Sequence, residues 1–260
     1  MIRLFFTFFI GVVPLFGQDT IVPVLLKTEA VKAEVIGGYD KFDNFYYTTI
    51  NNNFIKRSNG KETTFSNVQL GTIESVNIFN PLKINIFYKD LNSFIILDNR
   101  MADVFIIDFN QLQPFRNITH LSTGPDNTVW IFNTDSQQLE LYDYKQNRSR
   151  FRSVPINGKV LDLKSNFNFC WLLTQNYLYQ YNYLGSMISK IPNNGYEKIA
   201  LSKEKLIVLK QGQLYRVTKD LEVMQPIKSP NLLIKQFFAT TETLYIYDGE
   251  ILHHYQLKLD

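Results

Sequence analysis

One pattern constrains this chain more than any other: a strand, a tight turn and a second strand return about every 40 residues. Thr128–Phe132 leads through Asn133–Ser136 into Gln138–Asp143, and Cys170–Leu173 leads through Gln175 and Asn176 into Tyr177–Tyr181. Leu206–Leu209 turns at Gln211-Gly212 into Gln213–Val217, and Leu244–Tyr247 turns at Asp248-Gly249 into Ile251–Tyr255. Fainter copies are Asn44–Thr48 with Asn53–Ile55, and Lys83–Tyr88 with Ser93–Asp98. Asp-Gly and Gln-Gly supply the positive φ that a two-residue hairpin needs. Equivalent positions Tyr46, Phe87, Trp130, Trp171, Val208 and Tyr245 stand 41, 43, 41, 37 and 37 residues apart. A period near 40 with room for four short strands is that of a β-propeller blade.

The count predicts an all-β, six-bladed β-propeller. Inner strands are expected at Ser75–Phe79, Val160–Lys164, Lys198–Leu201 and Leu233–Ala239, and outer strands at Val104–Phe109, Met187–Ile191 and Val223–Ile227. Strands such as Phe94-Ile95-Ile96-Leu97 are apolar on both faces, as blades packed between two others require. A barrel or sandwich with one wet face would alternate instead. Phe 21, Tyr 15 and Trp 2 make the chain 15% aromatic, and large rings fill gaps that widen outward between blades. The last copy lacks a fourth strand, so Ile21–Leu26 is expected to pair with it and close the ring. Pro23 suits an outermost strand, which can spare an N–H.

Residues 1–17 read as a secretory signal peptide, with Arg3 before the apolar run Leu4–Phe16 and cleavage near Gly17-Gln18. That run of 13 is shorter than the roughly 20 residues a helix needs to span a bilayer. Residues 18–260 are then one propeller domain. Without Arg3, 26 basic residues face 24 acidic ones, which argues against dedicated nucleic-acid binding. A secreted chain with one cysteine, Cys170, forms no internal disulfide and suits a bacterial periplasm.

Candidate chemistry is sparse. His120 falls on an expected inner strand and faces the channel, whereas the adjacent His253 and His254 point to opposite sides of a strand. Cys170 reads as a buried thiol with nothing nearby to activate it. Asp40, Asp43, Asp98 and Asp126 sit at expected turns, which is sufficient reason for each. These residues suggest no catalytic set, no metal site and no cofactor. Arg148, Arg150 and Arg152 would share one side of a strand, as a docking row for an acidic partner or as charge protecting an edge.

The stretch Asn80-Pro81-Leu82-Lys83 through Phe87-Tyr88-Lys89-Asp90 to Leu97-Asp98-Asn99-Arg100 is similar to periplasmic six-bladed propellers of Bacteroidota. Val129-Trp130-Ile131-Phe132 and Leu139–Asp143 resemble generic propeller repeats. Within that group the chain resembles the plug subunit of the type 9 secretion translocon. The resemblance implies a non-enzymatic periplasmic protein, monomeric within a hetero-complex. It would be held at the outer membrane by a channel protein whose periplasmic opening it closes, without inserting into the membrane itself. The turns of the second blade, Asn80, Pro81, Asp98, Asn99 and Arg100, are candidate contacts for such a partner, and turn chemistry alone also accounts for them. The competing expectations are a peptide- or glycan-binding propeller and a lactonase-like hydrolase with acids or His120 on the channel wall.

Overall fold

The computed structural model describes residues 20–257 except 203–204, 219–220, 222–223 and 229–231. Residues 1–17, read as a signal peptide, lie outside the described residues, as does Val223 of the expected fifth outer strand. The chain opens with β1 (Val24–Ala30). The first blade is β2 (Ile36–Tyr39), β3 (Phe45–Thr48), β4 (Phe54–Ser58) and β5 (Lys61–Phe65). The second is β6 (Ser75–Asn77), β7 (Ile84–Tyr88), β8 (Ser93–Leu97) and β9 (Asp103–Asp108). The third is β10 (Ile118–Thr123), β11 (Thr128–Asn133), β12 (Gln138–Asp143) and β13 (Arg148–Arg152). The fourth is β14 (Val160–Ser165), β15 (Phe169–Thr174), β16 (Tyr177–Asn182) and β17 (Met187–Pro192). The fifth is β18 (Lys198–Ser202), β19 (Lys205–Lys210), β20 (Gln213–Val217) and β21 (Met224–Ile227). The sixth is β22 (Gln236–Ala239), β23 (Thr243–Tyr247) and β24 (Ile251–Gln256), completed by β1.

Each blade is an antiparallel meander, A to D from the axis outward, and six such four-stranded sheets are present among the described residues. The hairpins form where the turn residues allow. Gln211 and Gly212 take φ of 50° and 74°, the left-handed pair that matches strand twist in a two-residue turn. Asp40, Asp98 and Asp248 accept hydrogen bonds from amides two to four residues ahead and so close their own turns.

The core is divided among the blade seams. Six apolar clusters each join two neighbouring blades. Trp130 and Tyr181 meet between the third and fourth, with ring centroids 6.5 Å apart, and Tyr39 and Tyr245 stack at 5.0 Å between the sixth and first. Burying each such side chain stabilises the ring by roughly 1.5–3 kcal/mol.

The closing strand is displaced from its expected place. β1 begins at Val24 and runs to Ala30, antiparallel to β24 from Val24↔Gln256 to Ala30↔Ile251. Ile21 instead bridges to Ile227 of the fifth blade, through Ile21 N–H to Pro226 O at 2.9 Å and Lys228 N–H to Ile21 O at 2.8 Å. Pro23 lies between the two attachments and is not in the strand. One short segment therefore fastens two blades. Beyond β1, the buried Tyr247 hydroxyl accepts from Ala33 N–H at 3.2 Å and lies 2.9 Å from Val31 O, pinning the linker into the first blade.

His254 sits at this closure, T-shaped against Tyr245 at 4.8 Å and Tyr39 at 5.7 Å, with Nε2 3.9 Å from Glu29 Oε2. Burial depresses its imidazole to about 4; Lys27 and Arg57 act the same way, while Glu29 and Asp43 oppose them. An unfolded histidine titrates near 6.5. Between these values the unfolded chain holds a proton that the fold does not, so stability is full above pH 6.5 and falls as pH drops toward 4. The loss is about 3 kcal/mol. Urea titrations at pH 7.5 and 4.5 should show it, and His254→Gln should remove that share while leaving the loss from protonated carboxylates. Equal pH slopes in the two proteins would contradict the assignment.

Candidate docking face and central cavity

The meander sorts its loops onto two faces. A–B and C–D turns lie on one, and B–C and D–A connections lie on the other. The second-blade residues read from the sequence all fall on the first face. Asn80 is half-buried and accepts Leu82 N–H at 3.1 Å. Pro81 is buried and presents little surface to a partner. Asp98 is half-buried, and the amides of Ala102 and Arg100 hold its carboxyl below the usual range. Asn99 and Arg100 are exposed, and the Asn99 carbonyl accepts Lys56 Nζ of the first blade at 2.7 Å.

The same face carries an exposed aromatic pair. Phe79 was expected to end an inner strand, but β6 stops at Asn77 and Phe79 rises into the A–B loop. There it meets Phe167 from the A–B loop of the fourth blade, edge to face at 4.8 Å. The pair joins loops of two blades that are not neighbours in the ring and stays 45% and 47% exposed. Leu82 at 62% and Phe42 at 66% add apolar surface to this face.

Arg148, Arg150 and Arg152 stand exposed along β13, alternating with half-buried Ser149 and Phe151. Arg150 pairs with Asp143 at 2.7 Å and Asp126 at 3.4 Å, and Arg152 with Glu140 at 3.3 Å. Burial alone would raise the Asp143 carboxyl. The Arg150 hydrogen bond and the amides of Gln146 and Lys145 outweigh it and hold the group below the usual range. Two of the three guanidiniums thus serve the third blade itself, and Arg148 donates to Gln146 at 2.8 Å.

The axis holds a cavity of about 430 Å³. Its lining comes mainly from the first halves of the inner strands, which places it toward the D–A face, opposite the aromatic pair. At the other end, small polar side chains tie neighbouring inner strands together. Asn77 donates to Ser122 at 3.0 Å, Ser165 to Ser122 at 2.8 Å, and Ser202 to Thr240 O at 2.8 Å. His120 stands on the cavity wall as expected, 3.1 Å from Thr119 Oγ1. Burial depresses its imidazole to about 4, against the pull of Asp162 and with the help of Lys164 and Lys89. It is neutral at pH 7 and suited to hydrogen bonding. Elsewhere, burial raises the Cys170 thiol well above its usual value, and His253 lies 3.0 Å from Asp248 Oδ2. No group of three or more His, Cys, Asp or Glu able to hold a metal occurs among the described residues.

No family profile matches the chain, and no curated protein matches it in sequence. Solved structures do. A streptogramin B lyase superposes with a TM-score of 0.64 at 12% identity, over 90% of this chain and 88% of that one. A catalytically inactive virginiamycin B lyase from Staphylococcus aureus, solved with quinupristin, gives 0.59 at 11%, over 94% and 83%. The WD40 domain of Pan2 from Neurospora crassa gives 0.55 at 9%, over 95% and 98%. At these identities the likeness is one of fold: the chain is a six-bladed β-propeller.

Proposed function

We propose that this protein is a non-enzymatic, periplasmic interaction module that docks on an outer-membrane protein-secretion channel and closes its periplasmic opening. The observation carrying the reading is the apolar patch of the A–B face, where the half-exposed Phe79 and Phe167 meet and Leu82 is exposed on the same loop as Phe79. Aromatic anchors on a face with polar turns around them have the anatomy of a protein interface. Asn80, Asn99 and Arg100 form that surround. A rigid ring offers a broad, pre-organised surface, and stoppering requires a reversible interface with no catalytic group. The sealed Cys170 and the buried His253 and His254 fit this division of labour.

The test is co-purification from detergent-solubilised envelopes of the native host. The wild type should bring down a large outer-membrane channel protein. Phe79→Ser combined with Phe167→Ser should reduce recovery by at least about 10-fold, as loss of two anchors implies. The melting temperature should hold, since both rings are already half in solvent. Recovery of no channel protein by the wild type would sink the proposal.

A further inference from the structure

The central cavity has an ordered charge pattern. Around the axis, the first and second blades contribute Glu34 and Glu74, and the fifth and sixth contribute Lys198 and Lys235. All four are exposed, and none is ion-paired among the described residues. Between them on the fourth blade, Lys164 is neutralised by Asp162 at 3.1 Å. The mouth is therefore split, carboxylates on one side and ammonium groups on the other. Such segregation leaves a field across the cleft. In a ring of six the second and fifth blades oppose each other, so Glu74 and Lys198 face across the axis.

We propose that this cavity binds a short peptide with both termini free, its ammonium end toward Glu34 and Glu74 and its carboxylate toward Lys198 and Lys235. The volume, about 430 Å³, lies within the range of small-ligand pockets. Glu74 and Lys198 stand on opposed blades, so a ligand that meets both must cross the axis. A tripeptide spans up to about 10 Å. Midway, the neutral His120 offers a hydrogen bond to a peptide group. Gln236 is already committed, donating to Glu34 O at 2.7 Å and accepting Ile36 N–H at 2.8 Å, so this part of the wall is pre-formed. The site opens on the face opposite the proposed docking surface. Its occupancy is thus independent of that reading.

Calorimetric titration of the folded protein with trialanine, N-acetyl-trialanine, trialanine amide and free alanine tests this directly. Trialanine should saturate at sub-millimolar concentration, and each blocked derivative and alanine should bind at least about 10-fold more weakly, the loss of one charge-assisted contact. Lys198→Met with Lys235→Met should abolish the preference for the free carboxylate but keep the sensitivity to N-acetylation. Glu34→Gln with Glu74→Gln should do the reverse. These side chains are exposed, so unchanged melting temperatures will show that the folds survive. Absence of saturation by trialanine, equal binding of all four probes, or a preference unmoved by both variants would overturn the proposal.

Discussion

Deleting residues 20–30 should abolish the cooperative unfolding transition of the ring. The deletion strips β24 of its outer neighbour from Val24↔Gln256 to Ala30↔Ile251 and releases the fifth-blade attachment at Ile21. It also opens the seam in which Ile21 packs beside Ile227 and Tyr255. At about 1 kcal/mol net for each hydrogen bond, plus the apolar surface uncovered, the cost is on the order of 5–10 kcal/mol. That equals the whole stability of a typical domain. Circular dichroism melts should lose their sigmoidal step, and a synthetic peptide of residues 20–30 added in trans should restore it. A truncated protein that melts cooperatively within a few degrees of the parent would show that the closure holds nothing together.

Glu140→Ala should cost about 3–5 kcal/mol, as expected when one partner of a buried ion pair is removed. Glu140 on β12 and Arg116 are both 2% exposed at the side chain and lie 3.2 Å apart. Arg116 also donates to Pro114 O at 2.9 Å and sits 4.9 Å over the Tyr142 ring. Burial alone would raise the Glu140 carboxyl. Hydrogen bonds from Ser149 and Asn133 and the charge of Arg116 more than compensate and hold it low. Removing the carboxylate leaves a guanidinium buried without its counter-charge. In urea, the midpoint should fall with little change in slope. Arg116→Met with Glu140→Leu should recover most of the loss, because an apolar pair of similar volume avoids the desolvation cost. A cost below 1 kcal/mol for Glu140→Ala would mean that the pair is replaced by water at no penalty.

The repeat was legible because blade-centre strands are buried on both faces and must be apolar. β7, β8 and β11 are buried at every position. The outermost strands follow a weaker rule. The apolar run Ile21–Leu26 suggests the closing strand, yet pairing continues through Lys27, Thr28 and Glu29 into Ala30, and every residue of the strand but Glu29 is exposed. Near the axis, close approach rather than apolarity selects the residue. Gly37 and Gly38 lie in β2, where a Cβ on Gly37 would come within 3.1 Å of Tyr46 Cβ and one on Gly38 within 3.2 Å of Phe238. Bare backbone is what lets these neighbours approach. Phe79 looked like strand and proved to be loop. The Arg116–Glu140 pair and the divided charges of the cavity were invisible in sequence, because each brings together residues from separated segments.

The fastening of β1 to β24 also sets an order of events. During synthesis the first-made strand finds its partner only after Ile251–Gln256 has been produced, a separation of more than 200 residues. Contacts so distant along the chain form slowly, since the loop entropy is lost before the contact repays it. The five intervening blades can assemble early, but the circle locks last. A nascent chain of this kind stays open, and so remains threadable, until its final sheet is complete.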